Sequence, residues 1–209
     1  MCGIVGGTSE RNVLPILIEG LRRLEYRGYD SAGVAFEKNG SISVVKNLGR
    51  VEQLAKKINL KKNSTNLGIA HTRWATHGVP SEKNAHPHSS KDIYVVHNGI
   101  IENHQDLRAE LEAKGIKFHS QTDTEVIAHL IQNYLEKGKS FEQAVIDVSN
   151  ELKGAYALGI INKKDPEQLI GVRNQSPLVV GKGFQENFIA SDVMALAPVT
   201  NQFVYLEDG

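Results

Sequence analysis

The chain contains a single cysteine, Cys2, and no excess of either charge. One thiol cannot form a disulfide within the chain, which excludes the small secreted folds that disulfides hold together. Basic and acidic residues number 24 each, so the formal net charge is zero. No overall electrostatic footprint favours nucleic acid or an anionic membrane. The sequence therefore predicts neither nucleic acid nor a membrane as a partner.

Long apolar runs are also missing. No stretch approaches the roughly 20 apolar residues that a membrane-spanning helix needs. The start has no basic segment followed by an apolar run, as a signal peptide would, and residue two is not the glycine that N-myristoylation requires. We therefore expect a cytoplasmic protein. Its 209 residues, 40% of them hydrophobic, are enough for one domain, residues 1–209, with a substantial core.

Hydrophobic spacing predicts strands at both ends of the chain and helices in its middle. Apolar and alternating segments predict strands near residues 4–5, 32–36, 42–44, 67–71, 93–96, 155–161, 168–172, 177–180, 188–190 and 203–206. Helical spacing of apolar residues predicts a helix after Asn12 as its N-cap and further helices at 51–58 and 103–115. Two more helices are predicted after the capping-box pairs Thr122 with Glu125 and Ser140 with Gln143. Without regular strand–helix alternation, this order favours an α+β fold with antiparallel sheets.

Cys2 stands where removal of Met1 would leave a thiol and a free α-amine on one residue. A free cysteine is usually a small core residue. However, an α-amine with a pKa of roughly 7.7–8.0 can serve as the base for a thiol nucleophile. A thiol at residue two, followed by Gly3, permits methionine removal and close backbone approach by a ligand. We interpret Cys2 as a candidate nucleophile whose activity depends on removal of Met1.

Three other features could complete a site around that thiol. Asn98-Gly99 fits a plain hairpin turn as well as a functional role, in which a side-chain amide and a backbone N–H converge on a developing oxyanion. Arg73 and Asp123 are each typical of surface ion pairs, but together they could hold the carboxylate and ammonium of a free amino acid.

The histidines are concentrated in one third of the chain. Six of the eight lie there, but their spacings do not match the usual zinc patterns, so we expect no metal. These six are His71, His77, His86, His88, His97 and His104.

Six motifs carry a resemblance to a known family. They are MCGIVG at the start, RLEYRGYDSAG from Arg23, HTRWATHG from His71, NAHPH from Asn84, HNGIIENH from His97 and TDTEVIAHL from Thr122. In this order they resemble the glutaminase domains of glucosamine-6-phosphate synthases. These domains are class II glutamine amidotransferases and N-terminal-nucleophile hydrolases. The wording of the second and third motifs favours this family over amidophosphoribosyltransferase, asparagine synthetase and glutamate synthase.

The resemblance implies a four-layer αββα sandwich with two mainly antiparallel sheets, and a role for each candidate residue. Cys2 would be the nucleophile, and Asn98 and Gly99 would form the oxyanion hole. Arg73 would bind the α-carboxylate of L-glutamine and Asp123 its α-amine. The remaining substrate-binding residues implied by the family are Trp74, in a loop that closes over the pocket, and Thr76 and His77, which line it.

The implied reaction is hydrolysis of L-glutamine to glutamate and ammonia through a γ-glutamyl thioester, without a cofactor. In the family, a sugar-isomerising domain of the same polypeptide binds fructose 6-phosphate, and the full-length enzyme is expected to be a homodimer. That domain is absent from the 209 residues, so we expect a glutaminase half. Three alternatives stay open. One is the glutaminase domain of another class II amidotransferase, and the second is another N-terminal-cysteine amidase, such as a bile-salt or penicillin-type acylase. The third is a non-catalytic glutamine-binding domain of the same fold.

Overall fold

The computed structural model describes residues 2–75 and 78–209. Within these residues the chain forms eleven β-strands, five α-helices and two short 3₁₀ helices, Glu25–Arg27 and Val193–Ala195. The strands are β1 Gly3–Ser9, β2 Ser31–Lys38, β3 Ser41–Leu48, β4 Leu67–Arg73, β5 His88–Ser90, β6 Ile93–Gly99, β7 Tyr156–Asn162, β8 Asp165–Asn174, β9 Val179–Gly183, β10 Glu186–Ala190 and β11 Gln202–Tyr205. The helices are α1 Leu14–Leu24, α2 Val51–Ile58, α3 His104–Ala113, α4 Glu125–Glu136 and α5 Phe141–Glu151.

Two antiparallel sheets organise these strands. The larger sheet has the order β11-β9-β10-β1-β4-β2-β3, and the smaller has the order β5-β6-β7-β8. β1 lies inside the larger sheet, paired with β10 on one side and β4 on the other. β6 lies inside the smaller sheet, between β5 and β7. The start of the chain is therefore held in a central strand.

Three apolar layers separate four layers of structure. Val5 and Ala70 pack with α1 and α2 on the outer face of the larger sheet. Their strand neighbours Ile4 and Ile69 point the other way and pack between the sheets, because successive side chains on a strand alternate faces. Val95 faces α3, α4 and α5 on the far side of the smaller sheet. This is the αββα arrangement that the resemblance implies.

Several local predictions are confirmed. Asn39 and Gly40 both have positive φ, 54° and 75°, and join β2 to β3 as a tight hairpin. Gly115 and Gly138, at φ 83° and 87°, follow the ends of α3 and α4, where a left-handed residue stops a helix. The Ser140 hydroxyl accepts a hydrogen bond from the backbone N–H of Gln143 at 3.2 Å and caps α5.

Two predicted helix caps are wrong. α1 has Val13 as its N-cap, although the Asn12 side chain does accept a hydrogen bond from the N–H of Leu14 at 3.2 Å. The Thr122 capping box does not form, because α4 begins at Glu125 and its N-cap, Thr124, has no side-chain cap. The Glu125 carboxylate instead accepts the N–H groups of residues 119 and 120. Local sequence spacing could not reveal this longer reach.

None of the helices formed by the described residues is long and apolar enough to cross a membrane.

Candidate active site

A cavity of about 240 Å³ lies where β4 and β6 end and the chain enters β1. Sites for drug-sized ligands usually measure roughly 300–1,000 Å³, so this space suits a smaller molecule such as a free amino acid. Side chains from both sheets and from the turn before α4 line it. They are Cys2, Arg27, Arg73, Trp74, His86, His97, Asn98, Gly99, Ile100, Thr122, Asp123, Thr124, Ser176 and Pro177.

The Cys2 thiol contacts the backbone at the end of β4. Its Sγ accepts a hydrogen bond from the N–H of Trp74 at 3.2 Å and lies 3.5 Å from the Trp74 carbonyl oxygen. Burial raises the pKa of the Cys2 thiol, and the Trp74 N–H opposes that effect only in part. The thiol is therefore protonated at neutral pH. It requires a base before it can attack a carbonyl carbon.

Asn98 lies beside Cys2 in the cavity wall. Its Nδ2 donates a hydrogen bond to the Cys2 carbonyl oxygen at 3.1 Å, and its Oδ1 lies 3.0 Å from Nε2 of His71. Both ends of the buried amide therefore have partners. The Asn-Gly pair is not the hairpin turn that the dipeptide alone would also fit, because Asn98 and Gly99 pair with Ala157 and Tyr156 at the end of β6.

Gly99 has a backbone conformation and surroundings that only glycine can satisfy. Its φ is +119°, in the region that other residues avoid. An added Cβ would lie 2.0 Å from the carbonyl oxygen of Ala155. Because there is no side chain, the Gly99 backbone reaches the cavity wall next to the Asn98 amide.

Arg73 and Asp123 place opposite charges in the same cavity. Both are buried, with 3% and 4% of their surfaces exposed, so they are not the solvated surface charges that such residues often are. Nη2 of Arg73 donates to the carbonyl oxygen of Gly78 at 3.1 Å. Oδ2 of Asp123 accepts the N–H of Ile101 at 2.9 Å. These hydrogen bonds to the backbone fix the orientation of both side chains.

A carboxylate near the start of β2 holds the segment that follows Arg73. Asp30 accepts a hydrogen bond from the N–H of Ala75 through Oδ2, and its own N–H donates to the Arg73 carbonyl oxygen at 3.1 Å. The side chain of Trp74 is 52% exposed and meets the Tyr29 ring edge-on at 6.0 Å. Asp30 thus fixes the backbone that touches the thiol while the indole stays at the surface.

Two glycines of the RGYDSAG segment make room for the cavity wall. A Cβ on Gly28 would lie 2.8–2.9 Å from the peptide group that joins Arg73 to Trp74. A Cβ on Gly33 would lie 2.1 Å from the carbonyl oxygen of His86. This segment therefore shapes the site through its backbone.

Four buried histidines, His71, His86, His88 and His97, lie in or beneath the cavity wall. Burial lowers the pKa of His71 and of His88 to about 3, and that of His86 well below its usual value. The Thr124 hydroxyl bridges two rings, at 2.8 Å from Nε2 of His86 and 2.9 Å from Nδ1 of His97. Uncharged rings leave Arg73 and Asp123 as opposite charges in the wall, without added positive charge below them.

The structure brings together Cys2, Arg73, Trp74, Asn98, Gly99 and Asp123, all of which line one cavity. Thr76 and His77, the other two predicted substrate-binding residues, lie outside the described residues.

The described residues also include cavity residues that sequence reasoning missed. Arg27 lines the cavity with its guanidinium 3.1 Å from the Ser191 carbonyl oxygen, and Thr124 lines it next to Asp123. The sequence signal that could have identified them is that Arg27 lies in the second of the six motifs and Thr124 in the sixth. Among the described residues, no group of three or more histidine, cysteine or acidic side chains could hold a metal ion.

Comparison with known proteins identifies both a family and longer relatives. The family model for the glutamine amidotransferase domain matches residues 71–198. Glutamine–fructose-6-phosphate aminotransferase (isomerizing) of Acinetobacter baylyi is 60% identical over the whole chain, and that of Escherichia coli is 54% identical. The chain spans only 34% of the length of either relative.

Solved structures share the fold. The glutamine phosphoribosylpyrophosphate amidotransferase of B. subtilis, complexed with ADP and GMP, superposes over the whole chain with a TM-score of 0.85 at 26% identity, and the match covers 46% of that protein. A glutamine aminotransferase class-II domain protein from Silicibacter pomeroyi matches with a TM-score of 0.63 at 14% identity, over 92% of its chain. The second likeness concerns the fold alone.

Proposed function

The chain belongs to the glutamine amidotransferase domain family, and from this premise we propose that it hydrolyses L-glutamine to glutamate and ammonia at Cys2. One observation carries the proposal. A single small cavity contains the thiol, the Asn98 amide and a buried pair of opposite charges. A non-catalytic binding domain would need the charges but not a thiol beside an amide donor.

We propose that the two ends of the amino acid are held by the buried charges. The planar guanidinium of Arg73 matches the α-carboxylate, which it can bind through two hydrogen bonds. Asp123 uses Oδ2 for the Ile101 N–H and offers Oδ1 to the α-ammonium. An acylase substrate does not carry an ammonium and a carboxylate on one carbon, so it cannot contact Arg73 and Asp123 together as a free amino acid can. The pair therefore favours a free amino acid over a bile-salt or penicillin-type amide.

In the proposed reaction, the α-amine of Cys2, freed by removal of Met1, takes the proton of the thiol. Sγ then bonds to the side-chain amide carbon of glutamine, and the carbonyl oxygen becomes an oxyanion. Asn98 Nδ2 and the Gly99 N–H stabilise that charge. The protonated amine gives its proton to the amide nitrogen, the C–N bond breaks, and ammonia leaves.

The remaining γ-glutamyl thioester is hydrolysed at the same place. The α-amine takes a proton from water, the hydroxide bonds to the thioester carbon, and a second oxyanion forms in the same hole. Cleavage of the C–S bond releases glutamate, and the proton held by the amine returns to the sulfur. We assign Trp74 to the loop that covers the pocket, and the substrate-binding roles of Thr76 and His77 stay predictions from the resemblance.

The relatives' name suggests the use of the ammonia. The chain spans 34% of these longer proteins, and we propose that it is the glutaminase domain of such a polypeptide. There, a sugar-isomerising domain would combine the ammonia with fructose 6-phosphate to form glucosamine 6-phosphate. Dimerisation of that full-length protein stays a prediction.

Release of glutamate and ammonia by the Met1-processed chain tests the proposal. We expect equal amounts of both products from L-glutamine, none from Cys2→Ala, and no hydrolysis of bile-salt or penicillin-type amides. Glutamine binding without any ammonia would instead identify a binding domain. Hydrolysis of the acyl amides alone would identify an acylase.

A further inference from the structure

We propose that His71 is the positioning residue that sets the direction of the Asn98 amide, so that its NH₂ group and not its oxygen faces the thiol residue. This inference rests on the oxyanion role proposed for Asn98 and extends it to a side chain outside the cavity lining. His71 is not among the described residues that line the cavity, and its Nε2 contacts Asn98 and the His97 carbonyl oxygen. It acts only through Asn98.

The two oxygens next to His71 determine which ring nitrogen carries the proton. Nε2 lies 2.9 Å from the backbone carbonyl oxygen of His97 and 3.0 Å from the side chain of Asn98. A backbone carbonyl can only accept a hydrogen bond, so Nε2 must bear the hydrogen. With its pKa lowered to about 3 by burial, the ring is neutral, and Nδ1 carries no hydrogen. Nδ1 is buried and has no hydrogen-bond partner among the described residues.

That single N–H then selects the orientation of the Asn98 amide. The atom that faces Nε2 must accept, which makes it Oδ1 and places Nδ2 toward the Cys2 carbonyl oxygen at 3.1 Å. A flipped amide would set NH₂ against the His71 N–H, and its oxygen against the Cys2 carbonyl oxygen. The terminal torsion of asparagine is broad and nearly two-fold, so the side chain's own torsion does not prevent the flip; the His71 N–H opposes it together with the Cys2 carbonyl oxygen.

The ring itself is held rigidly. His71 is fully buried in β4, where its backbone pairs with Ile4 and Gly33. Its ring packs on that of His86 with centroids 4.2 Å apart and planes tilted by 33°. The His86 ring is tied in turn to the hydroxyl of Thr124. A donor fixed in this way costs little reorganisation when charge develops nearby.

The proposal separates turnover from binding. The oxyanion forms only after attack, so misdirected Asn98 donors lower kcat, while glutamine still binds through other groups and KM changes little. A misplacement of about 1 Å in a reacting geometry can lower the rate on the order of 10²-fold. This pattern differs from that of a purely structural histidine, whose loss would lower the melting temperature and the amount of active protein without such a split.

Two substitutions at position 71 make a matched pair. The amide nitrogen of Gln can occupy the place of Nε2, whereas that of the shorter Asn falls near Nδ1 and cannot reach Asn98. We expect His71→Gln to keep kcat for glutamine hydrolysis within about tenfold of the wild type, and His71→Asn to lower kcat roughly 10²-fold with a KM within about threefold. Equal kcat values for two folded variants would overturn the proposal.

A double variant separates this proposal from the oxyanion assignment. His71→Asn in an Asn98→Ala background should lower kcat no further, because nothing remains for His71 to position. A further loss of the same size as in the wild-type background would contradict the positioning role. Near-wild-type activity of Asn98→Ala alone would instead reject the oxyanion role of Asn98.

A measurement on the unmodified chain keeps the proposal testable if position 71 does not tolerate change. Imidazole ¹⁵N shifts should show His71 protonated at Nε2, deprotonated at Nδ1 and unchanged between pH 5 and 8. A proton on Nδ1 of the neutral ring would contradict the proposal directly.

Discussion

The side-chain amide of Asn98 donates to the backbone carbonyl oxygen of Cys2 at 3.1 Å, which joins the end of β6 to the residue that precedes β1. These residues are 96 positions apart in the chain, yet each needs the other in the proposed reaction. In that reaction, the Asn98 amide donates to the oxyanion that forms on the substrate carbon bound to Cys2. The contact therefore connects the two sheets at the point where the chemistry is expected.

Replacing Asn98 by Ala should lower kcat for glutamine hydrolysis by about 10²–10³, the usual effect of losing one oxyanion donor. The melting temperature should change only slightly, since the substitution leaves β6 and β7 paired in the same register. Steady-state kinetics and thermal unfolding of the same preparation check both statements. Near-full activity of this variant would show that the oxyanion role is misassigned.

Replacing Gly99 by Ala should damage both folding and activity. A Cβ at this position meets the Ala155 carbonyl oxygen at 2.0 Å, so β6 and β7 would have to separate. Gly115→Ala is the matched control, because Gly115 also has positive φ, 83°, but nothing lies within 4 Å of an added Cβ. The control should lose about 1–2 kcal/mol from backbone strain alone. Similar losses in the free energy of unfolding for both variants would contradict the steric argument.

Replacing Asp30 by Ala should free the backbone at Trp74 and Ala75 that touches the thiol. A hydrogen bond to a charged group contributes about 1.5–3 kcal/mol to stability, so we expect a smaller free energy of unfolding and, because this backbone contacts Cys2, a lower kcat/KM. Asp30→Asn is the control, since its side-chain oxygen can still accept the Ala75 N–H, and it should retain more activity. Alanine and asparagine variants of equal activity would argue against a role for the carboxylate in holding this segment.

The buried histidines should make the fold sensitive to mild acid. The pKa values of His71 and His88 are lowered from 6.5 to about 3, so below pH 6.5 the unfolded chain binds more protons than the native one. The free energy of unfolding is therefore not reduced by these two histidines above pH 6.5, and it decreases as the pH falls from 6.5 toward 3. Each histidine contributes up to about 1.4 kcal/mol per pH unit in that range.

Urea unfolding between pH 8 and pH 4.5 checks this acid sensitivity. We expect the urea concentration at the midpoint to decrease as the pH is lowered below 6.5. In His88→Gln, the free energy of unfolding should depend less steeply on pH, by the equivalent of one proton. A midpoint that stays constant down to pH 4.5 would mean that these rings are not buried in neutral form.

Much of the fold followed from the sequence because it depends on local signals. The family is confirmed, as are the hairpin at Asn39-Gly40, the glycines that end α3 and α4, and the strands at both ends of the chain. The Thr122 cap failed because Glu125 reaches back five and six residues, beyond the capping-box spacing. β5 was not predicted because His88–Ser90 is short and polar.

The sequence predicted the residues of the candidate site but not the hydrogen bonds that hold them in place. Cys2, Arg73, Asn98 and Asp123 were found through position, charge and resemblance, and they line one cavity. Two supports were not found. The bond from Ala75 to Asp30 spans 45 residues, and the contact of His71 with Asn98 joins two strands of different sheets. The first contact depends on which strands pair within a sheet and the second on how the two sheets stack, and periodicity encodes neither. The cytoplasmic location, the single-domain boundaries and the homodimer stay predictions.

The central claim is that Cys2, once Met1 is removed, is the nucleophile for glutamine. Intact mass measured before and after treatment with a glutamine-analogue electrophile tests it most directly, with Cys2→Ala alongside. The account predicts one adduct per processed chain, protection by excess L-glutamine, and no adduct on Cys2→Ala. Labelling that persists in Cys2→Ala, or that L-glutamine does not prevent, would contradict it.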